Sequence, residues 1–217
     1  MIKIYTPAGY EQSSNYPTLY VNDGYKAIEY CSYINVLDNL IADKKIVPVI
    51  VVFIQYREND NTFFIEKTEE YITAICDELV PLIETRYKTS TSPNDRAICG
   101  ISAGAHISML TSLTRPDVFL NAAGQSTTIT KNLFDALEKI SLNDNTRKSF
   151  RFYFDVGRFD LISGGFENYT FLYANQLLDK EMKKLGLNHV FNIYNDGHQW
   201  ANWRERVDKL LIFLFGI

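Results

Sequence analysis

The sequence is poor in cysteine and histidine. Among 217 residues it has three of each, namely Cys31, Cys76, Cys99, His106, His189 and His198. An odd number of cysteines without a Cys-x-x-Cys pair excludes a disulfide framework and a zinc-finger type of site. With so few histidines, each can be judged separately as an acid–base catalyst.

A long apolar run and a dominant charge are also missing. The longest apolar stretch, Ile46 to Ile54, is too short to span a bilayer. The N-terminus, MIKIYTPAGYEQ, lacks the basic and apolar regions of a signal peptide. The net charge is −4, and scattered Lys and Arg residues form no basic patch for nucleic acid. We therefore expect a cytoplasmic protein that binds neither membrane nor nucleic acid.

The composition is that of an ordinary globular chain. Apolar residues make up 46% and charged residues 22%, which argues against disorder. No repeat, low-complexity tract or Pro/Gly/Ser-rich linker divides the sequence, so we predict a single domain over residues 1–217. Whether the chain forms a homo-oligomer is left open by the sequence.

Strand-like and helix-like segments alternate along the chain. Apolar residues at three- and four-residue spacing predict helices within 72–83, 171–185 and 203–214. This alternation is typical of a mostly parallel α/β sheet with helices on both faces, which binds ligands at the carboxyl ends of its strands. Seven short apolar segments predict the strands: Lys3–Tyr5, Thr18–Val21, Val47–Gln55, Ala97–Ile101, Leu120–Gly124, Phe150–Val156 and His189–Tyr194.

A candidate nucleophile follows the fourth of these strands. Gly100-Ile101-Ser102-Ala103-Gly104 is a G-x-S-x-G motif between an apolar strand and an apolar helical pattern. In this context the motif forms a sharp turn that exposes the serine hydroxyl, and the glycines let strand and helix pass closely. The alternative is a chance match, which this placement between strand and helix disfavours.

The base for Ser102 is chosen by elimination. His106 lies one turn along the same helix, so we expect it to pack behind the turn as a buried, hydrogen-bonded residue. His189 begins a strand and therefore lies at the wrong end of the sheet. His198 follows that strand, in a loop before the last helix, which is the place for a general base.

The base needs a carboxylate to orient it, and in α/β-hydrolases the chain order is serine, acid, histidine. Asp160 follows the strand Phe150–Val156 and is our choice. Asp155, inside that strand, and Glu167, further along the connection, are the rivals. A serine–histidine dyad without an acid is the remaining alternative.

The remaining site residues are predicted from loops at the same edge. The backbone N–H of Ala103 and that of Tyr25 or Gly24 are the predicted oxyanion donors; a plain Asp-Gly turn is the alternative for the second. Arg57 follows the third strand and either binds substrate or forms a salt bridge. Two aromatic residues lie near the predicted mouth: Trp200 is predicted as pocket wall and Trp203 as core.

These residues carry a resemblance to a known family. The sequence resembles the esterase family of α/β-hydrolases that includes enterochelin esterases, feruloyl and acetyl-xylan esterases and S-formylglutathione hydrolase. The resemblance spans nearly the whole chain. Its carrying segments are residues 4–10, 19–24, 78–84, 100–104, 157–160 and the Gly-His-x-Trp-x-x-Trp pattern of 197–203.

The resemblance implies an α/β-hydrolase fold and an ester hydrolase with the triad Ser102, Asp160 and His198, a small-molecule ester substrate, no metal and no cofactor. Asn-Asp-Gly at 22–24 and Arg57 resemble the siderophore-esterase branch; Ala105 and Glu58-Asn59-Asp60 depart from the family pattern. A feruloyl or carbohydrate ester is the other substrate class. An acyltransferase with the same triad, or a binding module without catalysis, is the alternative function.

Overall fold

One sheet forms the centre of the molecule. The computed structural model describes residues 1–55, 67–141 and 144–217, and its seven strands lie in the order β1-β3-β2-β4-β5-β6-β7. Only the β1–β3 pair is antiparallel, so the predicted mostly parallel sheet is confirmed. The strands are β1 (Ile2–Tyr5), β2 (Thr18–Asn22), β3 (Ile50–Ile54), β4 (Arg96–Ile101), β5 (Asn121–Gln125), β6 (Arg151–Gly157) and β7 (His189–Tyr194).

Helices cover both faces of this sheet. They are α1 (Gly24–Cys31), α2 (Tyr33–Ala42), α3 (Thr68–Thr73), α4 (Val80–Arg86), α5 (Ala103–Thr114), α6 (Lys131–Ser141), α7 (Asp144–Ser149), α8 (Phe171–Lys184), α9 (Trp200–Arg204) and α10 (Val207–Phe215). A π-helical turn, Ala74–Leu79, joins α3 to α4, just before Pro81, which cannot donate a helical hydrogen bond. Within the described ranges, no helix is long and apolar enough to cross a membrane.

The core is split into two clusters, one on each face of the sheet. Side chains alternate along a strand, so Tyr20 of β2 faces one cluster while Leu19 and Val21 face the other. The first cluster packs against α3 to α6 and α8, and the second against α1, α2, α9 and α10. Burial on both faces explains why the strands are nearly continuous apolar runs.

Six predicted strands agree with the structure to within one residue at each end, and the third differs more. Predicted over Val47–Gln55, it begins only at Ile50. Pro48 has no N–H for the ladder, and the N–H of Val47 donates instead to the carbonyl of Phe215 at 3.0 Å. The start of the apolar run therefore belongs to a contact with the end of α10.

Because β2, β4, β6 and β7 are parallel, their carboxyl ends lie along one edge of the sheet. The turn after β2, the serine turn after β4 and the loops after β6 and β7 meet there. This is the edge at which such sheets bind ligands.

Candidate active site

The backbone of Ser102 is held in a conformation that serine rarely adopts. Its φ is 54° and its ψ is −115°, between the end of β4 and the start of α5. Such a conformation costs about 1–3 kcal/mol and persists only where the surroundings impose it. The N–H of Ser102 donates to the carbonyl of Gln125 at 2.9 Å, and its own carbonyl accepts the N–H of Thr128 at 3.1 Å. The strained turn is thereby fixed to the segment after β5.

The two glycines of the motif lie where strand and helix pack closely. A Cβ on Gly100 would lie 2.4 Å from the carbonyl carbon of Gly104, and a Cβ on Gly104 would lie 2.7 Å from Oδ2 of Asp23. The first contact is with backbone and requires glycine, whereas the second would displace the Asp23 side chain. The strand and helix therefore approach as the motif predicts, with the hydroxyl at the top of the turn.

An aspartate and a histidine meet on the neighbouring loops. Oδ2 of Asp160 lies 2.8 Å from Nδ1 of His198. The Asp160 side chain is fully buried, whereas that of His198 is 20% exposed. The imidazole packs between Phe171, at 4.3 Å between ring centroids, and the edge-on ring of Trp203, at 4.7 Å. The loops after β6 and β7 are adjacent, which is why residues far apart in sequence form this pair.

The serine and the histidine open into the same cavity. It has a volume of about 280 Å³ and is lined by Asp23, Lys26, Ile101, Ser102, Ala103, His198, Gln199, Trp200 and Trp203. The hydroxyl of Thr128 lies 3.5 Å from that of Ser102. The structure thus brings Ser102, Ala103, His198 and Trp200 together at one site. Lys26 and Thr128 also lie there, although no sequence pattern pointed to them, and so does Asp23 of the Asn-Asp-Gly segment.

Two other predicted site residues, Tyr25 and Arg57, are not among those that the structure brings together at this site. The N–H of Tyr25 donates to Oε1 of Gln55 at 3.0 Å, and Tyr25 does not appear among the described residues that line the cavity. Its amide is therefore engaged by Gln55, and Gly24, the other predicted donor from that turn, is likewise absent from the described lining and stays a prediction. Arg57 lies outside the described residues.

Comparison with known families decides the relationship. A family model described as "Putative esterase" matches residues 1–214. The chain belongs to the Putative esterase family.

Relatives of this esterase-family chain cover it to different extents. An endo-1,4-beta-xylanase/feruloyl esterase of Xylanibacter ruminicola is 35% identical over 129 residues, which are 54% of this chain and 18% of the relative. The enterobactin esterase FES of Shigella flexneri superposes with a TM-score of 0.80 at 20% identity, over 98% of this chain and 54% of that one.

A third relative is a fluorophosphonate-binding serine hydrolase F of Staphylococcus aureus. It has a TM-score of 0.77 at 13% identity and covers 98% of this chain and 91% of its own. Together with the family match, these structures confirm the α/β-hydrolase fold. At such identities they establish the fold alone.

The other two histidines of the esterase-family chain lie away from the cavity. His106 is 1% exposed behind the serine turn. Burial lowers its pKa to about 4, against the raising effect of a backbone contact with Thr128. His189 lies at the amino end of β7, where its Nε2 is 3.0 Å from Oδ1 of Asp179. Neither lines the cavity of the described part of the chain.

The rival acids have other partners. Asp155 is fully buried in β6, where its Oδ2 accepts the hydroxyl of Tyr153 at 3.0 Å and its Oδ1 lies 3.3 Å from Nη1 of Arg206. Burial raises the pKa of Asp155 to about 7, although the Arg206 cation opposes the shift. Glu167 bonds the hydroxyl of Tyr169. The carboxylate at His198 is that of Asp160.

The three cysteines are poorly suited to act as nucleophiles. Cys31, Cys76 and Cys99 are buried and free, and burial raises the pKa of each thiol to about 12, far from the range of a reactive thiolate. No three His, Cys, Asp or Glu side chains within 1–55, 67–141 and 144–217 form a metal-type group.

Proposed function

We propose that this chain is a serine esterase that hydrolyses a carboxylic ester through an acyl-enzyme, with Ser102 as nucleophile, His198 as base and Asp160 as the orienting acid. One observation carries the proposal: His198, held at Nδ1 by the buried Asp160, lines the same cavity as the strained Ser102 turn. The family supports ester hydrolysis as the reaction class.

The contact with Asp160 suggests different roles for the two imidazole nitrogens. In this proposal the Nδ1–H group donates a hydrogen bond to the Asp160 carboxylate, 2.8 Å away, and Nε2 is the basic nitrogen. It takes the proton of the Ser102 hydroxyl as Oγ bonds to the ester carbonyl carbon. The resulting imidazolium gives this proton to the alkoxy oxygen as the bond from that oxygen to the carbonyl carbon breaks. Water then repeats the sequence and releases the acid.

The negative charge that develops on the carbonyl oxygen needs preorganised donors. Ala103 is the first residue of α5, so its N–H is one of the unpaired amides at that helix start, and the helix dipole favours an anion there. Gly24 supplies the second donor in this proposal. Removing one such donor typically costs about 10²- to 10³-fold in kcat.

The cavity limits the substrate. A volume of about 280 Å³ is just below the range for small-molecule sites, roughly 300–1,000 Å³. The rings of Trp200 and Trp203 meet at right angles, 5.2 Å apart, on its wall. Flat apolar walls of this kind favour an aromatic group next to the ester. We therefore propose an aryl-bearing ester of the feruloyl or siderophore type, with Trp200 and Arg57 as substrate-binding residues.

The decisive test replaces the nucleophile. Ser102→Ala should lower kcat for 4-nitrophenyl acetate by about 10⁴-fold or more and abolish labelling by a fluorophosphonate probe. The matched control is Ser112→Ala, further along α5, whose hydroxyl bonds the carbonyl of Phe119. It should keep kcat within about twofold of the wild-type value. Full activity of Ser102→Ala would refute the proposal.

The substrate is tested with a panel of siderophore lactones, feruloyl sugars, acetylated xylan, S-formylglutathione and short aryl esters. Aromatic esters should give the highest kcat/KM, and acetylated xylan the lowest. A sugar or alcohol acceptor added to the assay separates hydrolysis from acyl transfer, because a transferase would form a new ester in place of the free acid. A native protein that fails to label would support a binding module.

A further inference from the structure

A buried arginine lies behind the catalytic loops. Arg206, between α9 and α10, is 2% exposed. Its Nη1 lies 3.3 Å from Oδ1 of Asp155 and 3.4 Å from Oδ1 of Asp196. The guanidinium also covers the ring of Tyr194, with 4.9 Å between its carbon and the ring centroid. One cation thus contacts two carboxylates that belong to different strands and loops.

Each carboxylate belongs to a segment that leads to a residue of the proposed triad. Asp155 is in β6, whose following loop carries Asp160, and Asp196 comes two residues before His198. The two loops are in direct contact. The N–H of Phe159 donates to the carbonyl of Asp196 at 2.8 Å, and a Cβ on Gly157 would lie 2.4 Å from that carbonyl oxygen.

A second set of contacts, through Trp203, links the main chain of Arg206 to the imidazole of His198. Its N–H donates to the carbonyl of Trp203 at 3.1 Å. That carbonyl also accepts Nε2 of Gln125 at 3.1 Å, and Nε1 of Trp203 donates to Oγ of Ser126 at 3.0 Å. The Trp203 ring packs edge-on against His198. A shift of the turn that contains Trp203 and Arg206 would therefore move the ring that packs against the imidazole.

Stability alone is a weak reason for such an arrangement. A cation at 2% exposure loses its hydration, and replacing buried ion pairs by apolar residues is often neutral or stabilising. Burial raises the pKa of Asp196 as well as that of Asp155, with Arg206 opposing the shift in both cases. The cation therefore opposes, without cancelling, the neutralisation that burial favours at both carboxylates.

We propose that Arg206 is a positioning residue: its guanidinium joins the loop of His198, through Asp196, to the strand that leads to Asp160, through Asp155, and so fixes the imidazole relative to Ser102. This inference rests on the proposed triad. A 1 Å displacement of a catalytic group can cost about 10²-fold in rate, so the effect should appear in kcat rather than in KM.

The charged groups that surround His198 in the described structure decide the expected pH dependence. They are Asp160 at Nδ1, Asp196 and Arg206 with Asp155 behind the loop, and Asp23 and Lys26 in the cavity wall. Removing the Arg206 cation favours the protonated base, so the acidic limb of kcat/KM moves to higher pH. Removing the Asp196 charge moves it to lower pH.

The experiment compares Arg206→Met, Arg206→Lys and Asp196→Asn with a control that also loses a buried ion pair. Arg96→Met is that control, because Arg96 is 5% exposed and pairs with Glu84 at 2.5 Å, at the opposite end of β4 from Ser102. Steady-state kinetics with 4-nitrophenyl acetate, fluorophosphonate labelling rates and thermal unfolding are measured for each folded protein.

Arg206→Met should lower kcat by about 10- to 100-fold with KM within about threefold, and shift the acidic limb up by about half a pH unit. Arg206→Lys should retain more activity than Arg206→Met, and Arg96→Met should keep the wild-type kcat per folded molecule. Asp196→Asn, whose side chain is 20% exposed, should lower kcat by about 3- to 10-fold and shift the limb in the opposite direction.

Wild-type kcat and an unmoved pH profile in Arg206→Met would overturn the inference while leaving the esterase proposal intact. If Arg206→Met does not fold, Asp196→Asn decides the matter by the same two criteria. Failure of the wild-type protein to react with the probe, together with an active Ser102→Ala variant, would instead refute the esterase function and the inference with it.

Discussion

The two ends of β7 each carry an Asp–His pair. At the amino end, Nε2 of His189 is 3.0 Å from Asp179, and at the carboxyl end Nδ1 of His198 is 2.8 Å from Asp160. The chemical groups are the same. Asp179 also binds the ammonium of Lys183 at 2.7 Å, whereas the histidine of the pair at the carboxyl end lines a cavity together with Ser102. The direction of the strand therefore decides which pair lies beside the proposed nucleophile.

Replacing each histidine in turn should give the largest difference in activity between the two pairs. His198→Ala should lower kcat for a short aryl ester by about 10³- to 10⁵-fold, because the Ser102 hydroxyl loses its base. His189→Ala should leave kcat per folded molecule within about twofold. Steady-state kinetics on folded protein provide the measurement. Equal losses in both variants would mean that the pair at the carboxyl end has no special role.

A smaller effect is expected at the two aspartates. Asp160→Asn preserves the shape of the side chain but no longer orients the imidazole or stabilises its protonated form, so kcat should fall by about 10²- to 10⁴-fold. Asp179→Asn is the matched control and should affect the melting temperature more than kcat. An Asp160→Asn variant with wild-type kcat would favour the dyad alternative, in which the acid is not needed.

The third histidine, His106, is the comparison that lacks a carboxylate partner among the described residues. We expect it to affect the stability of the fold. Burial lowers the pKa of His106 to about 4. Between that pH and about 6.5, the unfolded chain binds a proton that the folded one does not accept. This residue therefore makes the free energy of unfolding fall as the pH drops through that window, by about 1–3 kcal/mol.

Chemical denaturation of the wild type and of His106→Gln at pH 4 to 8 would isolate this contribution. The difference between the two proteins is the quantity to follow, because Asp155, with a pKa raised by burial to about 7, acts with the opposite sign between about pH 4 and pH 7. A pH-independent difference would contradict the prediction.

The fold was largely predictable because the strands are short and mostly apolar and, from β2 onwards, alternate with helices. The same periodicity fixed which end of a strand each loop occupies, and this located Ser102, Asp160 and His198 at one edge. These inferences needed only local pattern and strand direction.

The residues that were missed depend on contacts between distant segments. Gln55 occupies the Tyr25 amide from the end of β3, and nothing in the sequence around 25 signals this. Arg206 lies at the start of an amphipathic helix, where a lone arginine is typical of a solvated surface. Its burial follows only from the meeting of Asp155 and Asp196, which the sheet brings together from separate strands.

The crowding at the serine turn has an evolutionary consequence. A Cβ on Gly100 would meet backbone and one on Gly104 would meet the end of the Asp23 side chain, so replacement of Gly100 should disturb the packing most, whereas replacing the half-buried Ser102 side chain should remove the proposed nucleophile and leave this packing intact. If the proposed function holds, mutation of Ser102 would therefore silence the enzyme without unfolding it. A protein of this fold that evolved to bind a ligand without catalysis would keep both glycines and lose the serine between them. Its sequence would resemble that of a hydrolase at every position except this one.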